Sequence, residues 1–169
     1  MALKVKMMPY ERIFIGTTVV TNAWSEPAKF SIEGAAPVLR QAHAMLEERA
    51  DTPLKRVYLC VQNLYLGCDG ASVARYFELV AELLAQMPQA AATVAAANSE
   101  IAKGSFYGAI REYRKLLYSE YPQRDWAAEL TGLFQPKAAS APVVIRAPRR
   151  GRPERKPQEA EPDAVLVDA

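Results

Sequence analysis

The sequence predicts an α+β fold: a small N-terminal antiparallel sheet, then a helical bundle, then a disordered charged tail. Three observations predict it. Up to about residue 34, short runs alternate apolar and polar residues, the period of a half-buried strand. From Pro37 onward the apolar residues recur at helical spacing. After Pro136 aromatics vanish, and alanine, proline, arginine and glutamate dominate. The organisation read from these shifts is a β subdomain over 1–35, a helical subdomain over 36–135 and a tail over 136–169.

Leu3, Val5 and Met7 alternate with Lys4 and Lys6, which predicts the first strand. Pro9-Tyr-Glu11 is a turn. Arg12-Ile-Phe-Ile15 is a second strand, with Gly16 free to take an unusual backbone angle after it. Thr17-Thr-Val-Val-Thr21 is β-branched throughout and favours a third strand. Trp24 to Pro27 is a loop, and Lys29-Phe-Ser-Ile32 alternates again until Gly34.

The spacing then predicts helices. One is expected over Pro37 to Arg49. Asp51-Thr-Pro53 is a start signal, a capping residue followed by proline in the first turn. Leu54, Val57, Tyr58, Val61 and Tyr65 form one face of the helix that follows, and Gly67 to Gly70 breaks it. Val73, Tyr76, Phe77, Val80, Leu84 and Met87 make a second stripe, ended by Pro88. An alanine-rich helix with Val94 and Ile101 stops at Gly104. Ser105 is expected to cap a helix bearing Phe106, Ile110, Tyr113, Leu117 and Tyr121. Trp126, Leu130, Leu133 and Phe134 suggest a last short docking helix.

Composition bounds the function. The formal net charge of +2 comes from the tail, because lysines plus arginines equal the acidic residues up to Pro136. The folded part does not coat nucleic acid by bulk charge, so any such binding needs a local patch. No apolar run is long enough to span a bilayer, and the N-terminus lacks the charged-then-apolar pattern of a signal peptide. A cytoplasmic protein without membrane contact is expected. The tail cannot bury enough apolar surface to offset ordering entropy, so it is expected to be disordered.

Catalytic and metal chemistry find little support. With one histidine, His43, and two cysteines, Cys60 and Cys68, neither a zinc site nor a disulfide framework is expected. His43 reads as a surface or helix-end residue, and the thiols read as inert. No Gly-rich phosphate loop or paired carboxylates appear. The expectation is a non-enzyme with no cofactor, no metal and no catalytic residue. Arg150-Gly-Arg-Pro153 matches the core of an AT-hook, whose arginines enter a narrow minor groove, but a solvated basic tail is the preferred reading. Lys103 to Leu117 looks like the first helix of a tetratricopeptide unit. It has no second copy at that period, so an amphipathic core helix is preferred. The N-terminal sheet is more informative. Lys4 and Lys6 share one strand face and Arg12 begins the next strand. With Lys29 and Arg40 they outnumber Glu11, Glu26 and Glu33. Basic side chains on a small sheet can contact phosphates and splayed bases, but from charge alone an ordinary solvated sheet face is the preferred reading.

Several segments, in order, resemble the FlbT family. They are Met1-Ala-Leu-Lys-Val, Pro9-x-Glu-Arg-Ile-x-Ile-Gly16, Thr21-Asn22 and Ala36-Pro-Val-Leu-Arg40, then Ala50-Asp-Thr-Pro-x-Lys-Arg-Val-Tyr58 leading to Gln62-x-x-Tyr-Leu66. The likeness continues through the Tyr76–Leu84 stretch to Gly104-x-x-Tyr-x-Ala109, about the first 120 residues, and leaves the tail outside. The family often has glycine where this chain has Tyr10. The resemblance implies a post-transcriptional regulator that associates with the 5′ leader of flagellin mRNA and promotes its decay, repressing flagellum biogenesis. In some relatives the effect is positive, and FlaF acts as a functional counterpart. The order Leu3-x-Val, Glu11-x-x-x-Ile-Gly16, Ile32 and Ala36-Pro37 is also similar to CsrA, a small β protein that binds mRNA leaders. In that resemblance Arg40 is the nearest match to the basic residue that follows the Ala-Pro pair. The candidate RNA-binding residues are therefore Lys4, Lys6, Arg12 and Arg40. The alternative is a protein-binding adaptor or activator that engages FlaF or flagellin through the helical face.

Overall fold

The computed structural model of the chain describes residues 2–122. The expected Trp126–Phe134 helix, the AT-hook match and the charged tail lie outside the described residues. The described residues form five strands, then four α-helices. The strands are β1 (Ala2–Met7), β2 (Arg12–Ile15), β3 (Thr18–Thr21), β4 (Ala28–Glu33) and β5 (Val38–Arg40). The helices are α1 (Pro53–Leu66), α2 (Val73–Gln86), α3 (Ala91–Ala102) and α4 (Phe106–Glu120). The α+β class is as the sequence predicts.

The strands make two sheets rather than one. β1 pairs with β4 in an antiparallel ribbon, and β2 is the centre of a three-stranded sheet in the order β3-β2-β5. Strand alternation explains how they stack. Val5 and Met7 of β1, with Phe30 and Ile32 of β4, pack on Ile13, Ile15 and Val20 of the second sheet. Phe14, on the other face of β2, packs with Leu39, Ala44 and Leu66 toward the end of α1. The layers are therefore ribbon, sheet, helix, and β2 is apolar on both sides as a central strand must be.

The helix expected over Pro37 to Arg49 does not form. Val38–Arg40 is strand β5, and short 3-10 turns follow at Gln41–His43 and Glu47–Arg49. The β part thus extends to Arg40. The residues have fair helix propensity, but tertiary partners claim their backbone. β5 pairs with β2, and α1 supplies the rest. The Tyr65 hydroxyl accepts from Val38 N–H and donates to Val38 C=O, both at 3.1 Å. The Gln62 side-chain amide accepts from Met45 N–H at 2.6 Å and donates to Met45 C=O at 3.0 Å. The Tyr58 hydroxyl donates to the His43 carbonyl at 2.7 Å. Tyr58, Gln62 and Tyr65 lie on one face of α1 at helical spacing, and between them they pair backbone groups that a helix would have paired internally.

The start and stop of α1 follow the sequence signals. Thr52 accepts from Lys55 N–H, Pro53 opens the first turn, and Gly67 closes it at φ 71°. Lys55 is only 2% exposed and ion-paired to Asp51, with Nζ 5.4 Å from the Tyr121 ring centroid. This clasps the start of α1 to the end of α4. In α2 the buried face is Tyr76, Leu79, Val80 and Leu83, so it is rotated from the expected stripe. Val73 and Phe77 are exposed and Leu84 is half-buried. Ser105 occupies the N-cap position of α4 without a capping side-chain bond. Its hydroxyl instead meets the Glu100 carboxylate. Lys103, and after it this hydroxyl, hold that carboxyl below its ordinary pKa.

The helical core closes around a polar pair. The Tyr76 and Tyr113 hydroxyls, both on fully buried side chains, lie 2.8 Å apart, and Tyr76 donates to Asn98 at 2.7 Å. Tyr76 has one proton to give, so Tyr113 donates to Tyr76.

Two outcomes follow from this packing. Gln62→Leu leaves the Met45 N–H and C=O buried without partners, at about 1–3 kcal/mol each, partly offset by the apolar substitute. Urea unfolding is expected to show a net loss of roughly 2–4 kcal/mol. Burial is also the main cause raising the pKa of Tyr58, Tyr76 and Tyr113 above the ordinary value of 10.0. Unfolding above that pH releases their protons, so the stability they contribute is complete below it and lost as pH rises through the raised values. Thermal melts are expected to drop progressively above pH 10, and Tyr113→Phe should flatten that alkaline slope.

Candidate functional site

The exposed face of the β1–β4 ribbon is set by alternation. Val5 and Met7 point inward, so Lys4 and Lys6 point outward; across the ribbon Phe30 and Ile32 turn inward and Lys29 and Ser31 outward. The register places Lys6 directly opposite Lys29 and Lys4 opposite Ser31. Lys4, Lys6, Lys29 and Ser31 thereby line one open groove. Among the described residues no carboxylate pairs with Lys4, Lys6 or Lys29. Like charges directly opposite on a two-stranded ribbon cost stability. An anionic ligand would reverse that cost.

Arg40 reaches the edge of the ribbon from the second sheet. It pairs with Ile13 across β2, which puts it on the side of the sheet that faces the ribbon. Its guanidinium donates to Glu11 Oε1 at 3.0 Å and to the Lys6 carbonyl at 3.2 Å. Arg40 thus ties the edge of the ribbon to the second sheet beside Lys6, and part of its charge is committed to Glu11. Arg12 is not brought to the same face. It shares the side of β2 that carries Phe14, opposite to Ile13, and its backbone N–H donates to Gln41 Oε1 at 3.1 Å. The structure therefore puts Lys4 and Lys6 on one face, adds Lys29 to it, places Arg40 at the ribbon edge beside Lys6, and sets Arg12 apart. The Lys29 signal lies in the sequence as an alternating polar position, but its place opposite Lys6 depends on which strands pair.

One end of the β layer carries a second feature. The turn from β1 to β2 and the loop from β3 to β4 meet there, because Met7 pairs with Ala28 and Arg12 with Thr21. Asn22, almost wholly buried, holds them together. Its side-chain N–H groups donate to Met8 C=O at 2.8 Å and Glu26 C=O at 3.0 Å, and its oxygen accepts from Trp24 N–H at 3.2 Å. Glu11 braces the turn by accepting from Met8 N–H at 2.7 Å. Met8, Tyr10 and Trp24 are all exposed at this end.

His43, expected at the surface or a helix end, is half-buried against α4. Burial, then the Arg114 charge, lowers its pKa, so the ring is neutral at neutral pH. Burial raises the pKa of both Cys60 and Cys68, so neither is a thiolate there. Among the described residues no group of three or more His, Cys, Asp or Glu is placed to hold a metal, and no helix is long and apolar enough to cross a membrane.

Replacing Lys29 with glutamate turns a like-charge cross-strand pair into an opposite one. Lys29→Glu is expected to raise stability by about 0.2–1 kcal/mol, measured by urea unfolding.

Comparison with known proteins gives a consistent result. The family model described as flagellar protein FlbT matches residues 3–122. The chain is 40% identical over 121 residues to a probable flagellum biosynthesis repressor protein FlbT of Rhodopseudomonas palustris strain TIE-1, covering 71% of this chain and 95% of that one. It is 38% identical over 122 residues to a protein of the same description from Bradyrhizobium diazoefficiens, covering 71% and 83%. A relative in Caulobacter sp. strain K31 is 28% identical over 126 residues, covering 71% and 94%. No solved structure matches.

Proposed function

The chain belongs to the FlbT family of flagellar proteins, and from that premise we propose that it represses flagellum biosynthesis after transcription. In this reading it associates in the cytoplasm with the 5′ leader of flagellin mRNA and promotes its decay, without catalysing a reaction itself. The relatives' description as repressors of flagellum biosynthesis supports the first part. The single observation that supports the second is the ribbon face, where Lys4, Lys6 and Lys29 stand without carboxylate partners among the described residues and Arg40 adjoins them. A local cationic face on a chain of nearly balanced charge is what a phosphate backbone selects.

A second reading has its own support. From Leu83 to Ser99 the sequence has no charged residue, yet Ala91, Ala92, Ala95 and Ala96 of α3 are exposed, as are Val73 and Phe77 of α2. An uncharged, partly apolar helical surface suits a protein partner. It favours an adaptor that engages FlaF or flagellin, with effects on mRNA following indirectly.

A gel-shift titration separates the two. The purified chain is expected to shift the flagellin leader in preference to a scrambled RNA at moderate salt. Lys4→Gln with Lys6→Gln should weaken leader binding by about 1–3 kcal/mol and flatten the salt slope by roughly 0.7 for each phosphate left unneutralised. Lys29→Glu should bind worse despite its greater stability. Equal affinity for leader and scrambled RNA would sink the first reading and leave the adaptor.

A further inference from the structure

We propose that the end of the β layer formed by the 8–11 turn and the 22–27 loop is a base-stacking site for single-stranded RNA. Tyr10 and Trp24 would be the stacking side chains, and Lys6 and Lys29 would hold the flanking phosphates. The proposal rests on the RNA reading above and names the part of the RNA that is recognised: unpaired bases rather than duplex.

Tyr10 carries the argument. Its φ is 60°, the one positive value at a non-glycine position among the described residues. The left-handed region is costly for a residue with a side chain, and glycine adopts it freely. Tyr10 also has little packing to compensate, since 64% of it is exposed, the largest exposure of any large apolar residue described. A strained, bulky, exposed residue where glycine would be better for the fold points to a contact made outside the fold. Trp24, 45% exposed, lies in the loop that Asn22 ties to this turn through the Met8 carbonyl. That loop is fixed by the Asn22 hydrogen bonds to Met8, Glu26 and Trp24 itself, so both backbones are held before any ligand arrives.

Charge selects the occupant. The Lys6–Lys29 pair stands one residue in from this end of the ribbon, and Arg40 bonds to the Lys6 carbonyl. Of the acidic groups there, Glu11 is occupied on both oxygens, by Arg40 and by Met8 N–H. Glu26 is the carboxylate that opposes phosphate. Aromatic rings beside a cationic edge are the combination that binds single strands, because every base has a π-face and every linkage a charge. A duplex hides its bases in the stack and offers the rings nothing.

The test uses the full chain and three fluorescein-labelled probes: oligoadenylate, its duplex with oligouridylate, and the flagellin leader. In a Trp126→Phe background, oligoadenylate is expected to quench Trp24 emission and to bind more tightly than the duplex. Tyr10→Gly, which suits the backbone and folds at least as well, should weaken oligoadenylate binding roughly five- to 150-fold with an unchanged salt slope. Trp24→Ala should act alike, and Trp24→Phe should restore most of the loss. Lys6→Gln with Lys29→Gln should weaken binding and flatten the salt slope. If both aromatic variants bind like the unaltered chain while the lysine variant does not, the stacking site is wrong and the RNA reading stands. Equal affinity for duplex and single strand overturns the stacking site as well. If the unaltered chain binds none of the three probes, both readings fall, and the aromatic end is left to a protein partner.

Discussion

One row of side chains joins the two halves of the protein. Tyr58, Gln62 and Tyr65 project from a single face of α1 and pair backbone groups of the segment between Val38 and Met45. That segment is extended or tightly turned, and the one bond between its own backbone groups runs from Ala44 N–H to Gln41 C=O, so its other N–H and C=O groups look to neighbouring elements. Buried without partners, each would cost more than a typical hydrogen bond returns. Gln62 meets Met45 with one donor and one acceptor, as a neighbouring strand residue would. The helical half of the protein thus serves as the missing edge partner for the β half.

This joint has consequences outward in both directions. Toward the ribbon, it fixes β5 against β2, and β5 delivers Arg40 to the Lys6 carbonyl. The cationic face is therefore braced from α1 through β5 and Arg40. Toward the bundle, Tyr58 and Val61 continue the same helix into the core around Tyr76 and Tyr113. A change in α1 should be felt at the ribbon as well as in the bundle, because the layers share β2 and its neighbours.

The ribbon face also shows a conflict between stability and binding. A fold optimised for stability would not set Lys6 against Lys29, or tyrosine at a left-handed backbone position. Both features cluster at one end of the β layer, and both cost the fold stability locally. Places where local rules are broken without internal compensation are where function is expected to concentrate.

Much of the architecture is legible along the chain. Alternation and β-branched composition together locate four of the five strands described, and helical spacing finds the four helices of the bundle. The Thr52-Pro53 start and the Gly67 stop of α1 can be read because capping is a local matter of one side chain and one backbone angle. The motif order marks the family for the same reason, since it is written in sequence. Packing settled the rest. Pro37 to Arg49 has the composition of a helix, yet it became a strand and two turns because partners from β2 and α1 claimed its backbone. In α2, spacing offered Phe77 as core, and the packing of the bundle buried Leu79 instead. The candidate site shows the same division. Lys4 and Lys6 share a face by alternation alone, whereas Lys29 faces Lys6, and Arg12 turns away from Arg40, only because β1 pairs with β4 and β2 with β5. Those pairings join residues more than twenty positions apart, and their choice rests on which apolar faces can be buried together, a property of the whole chain and of no single segment.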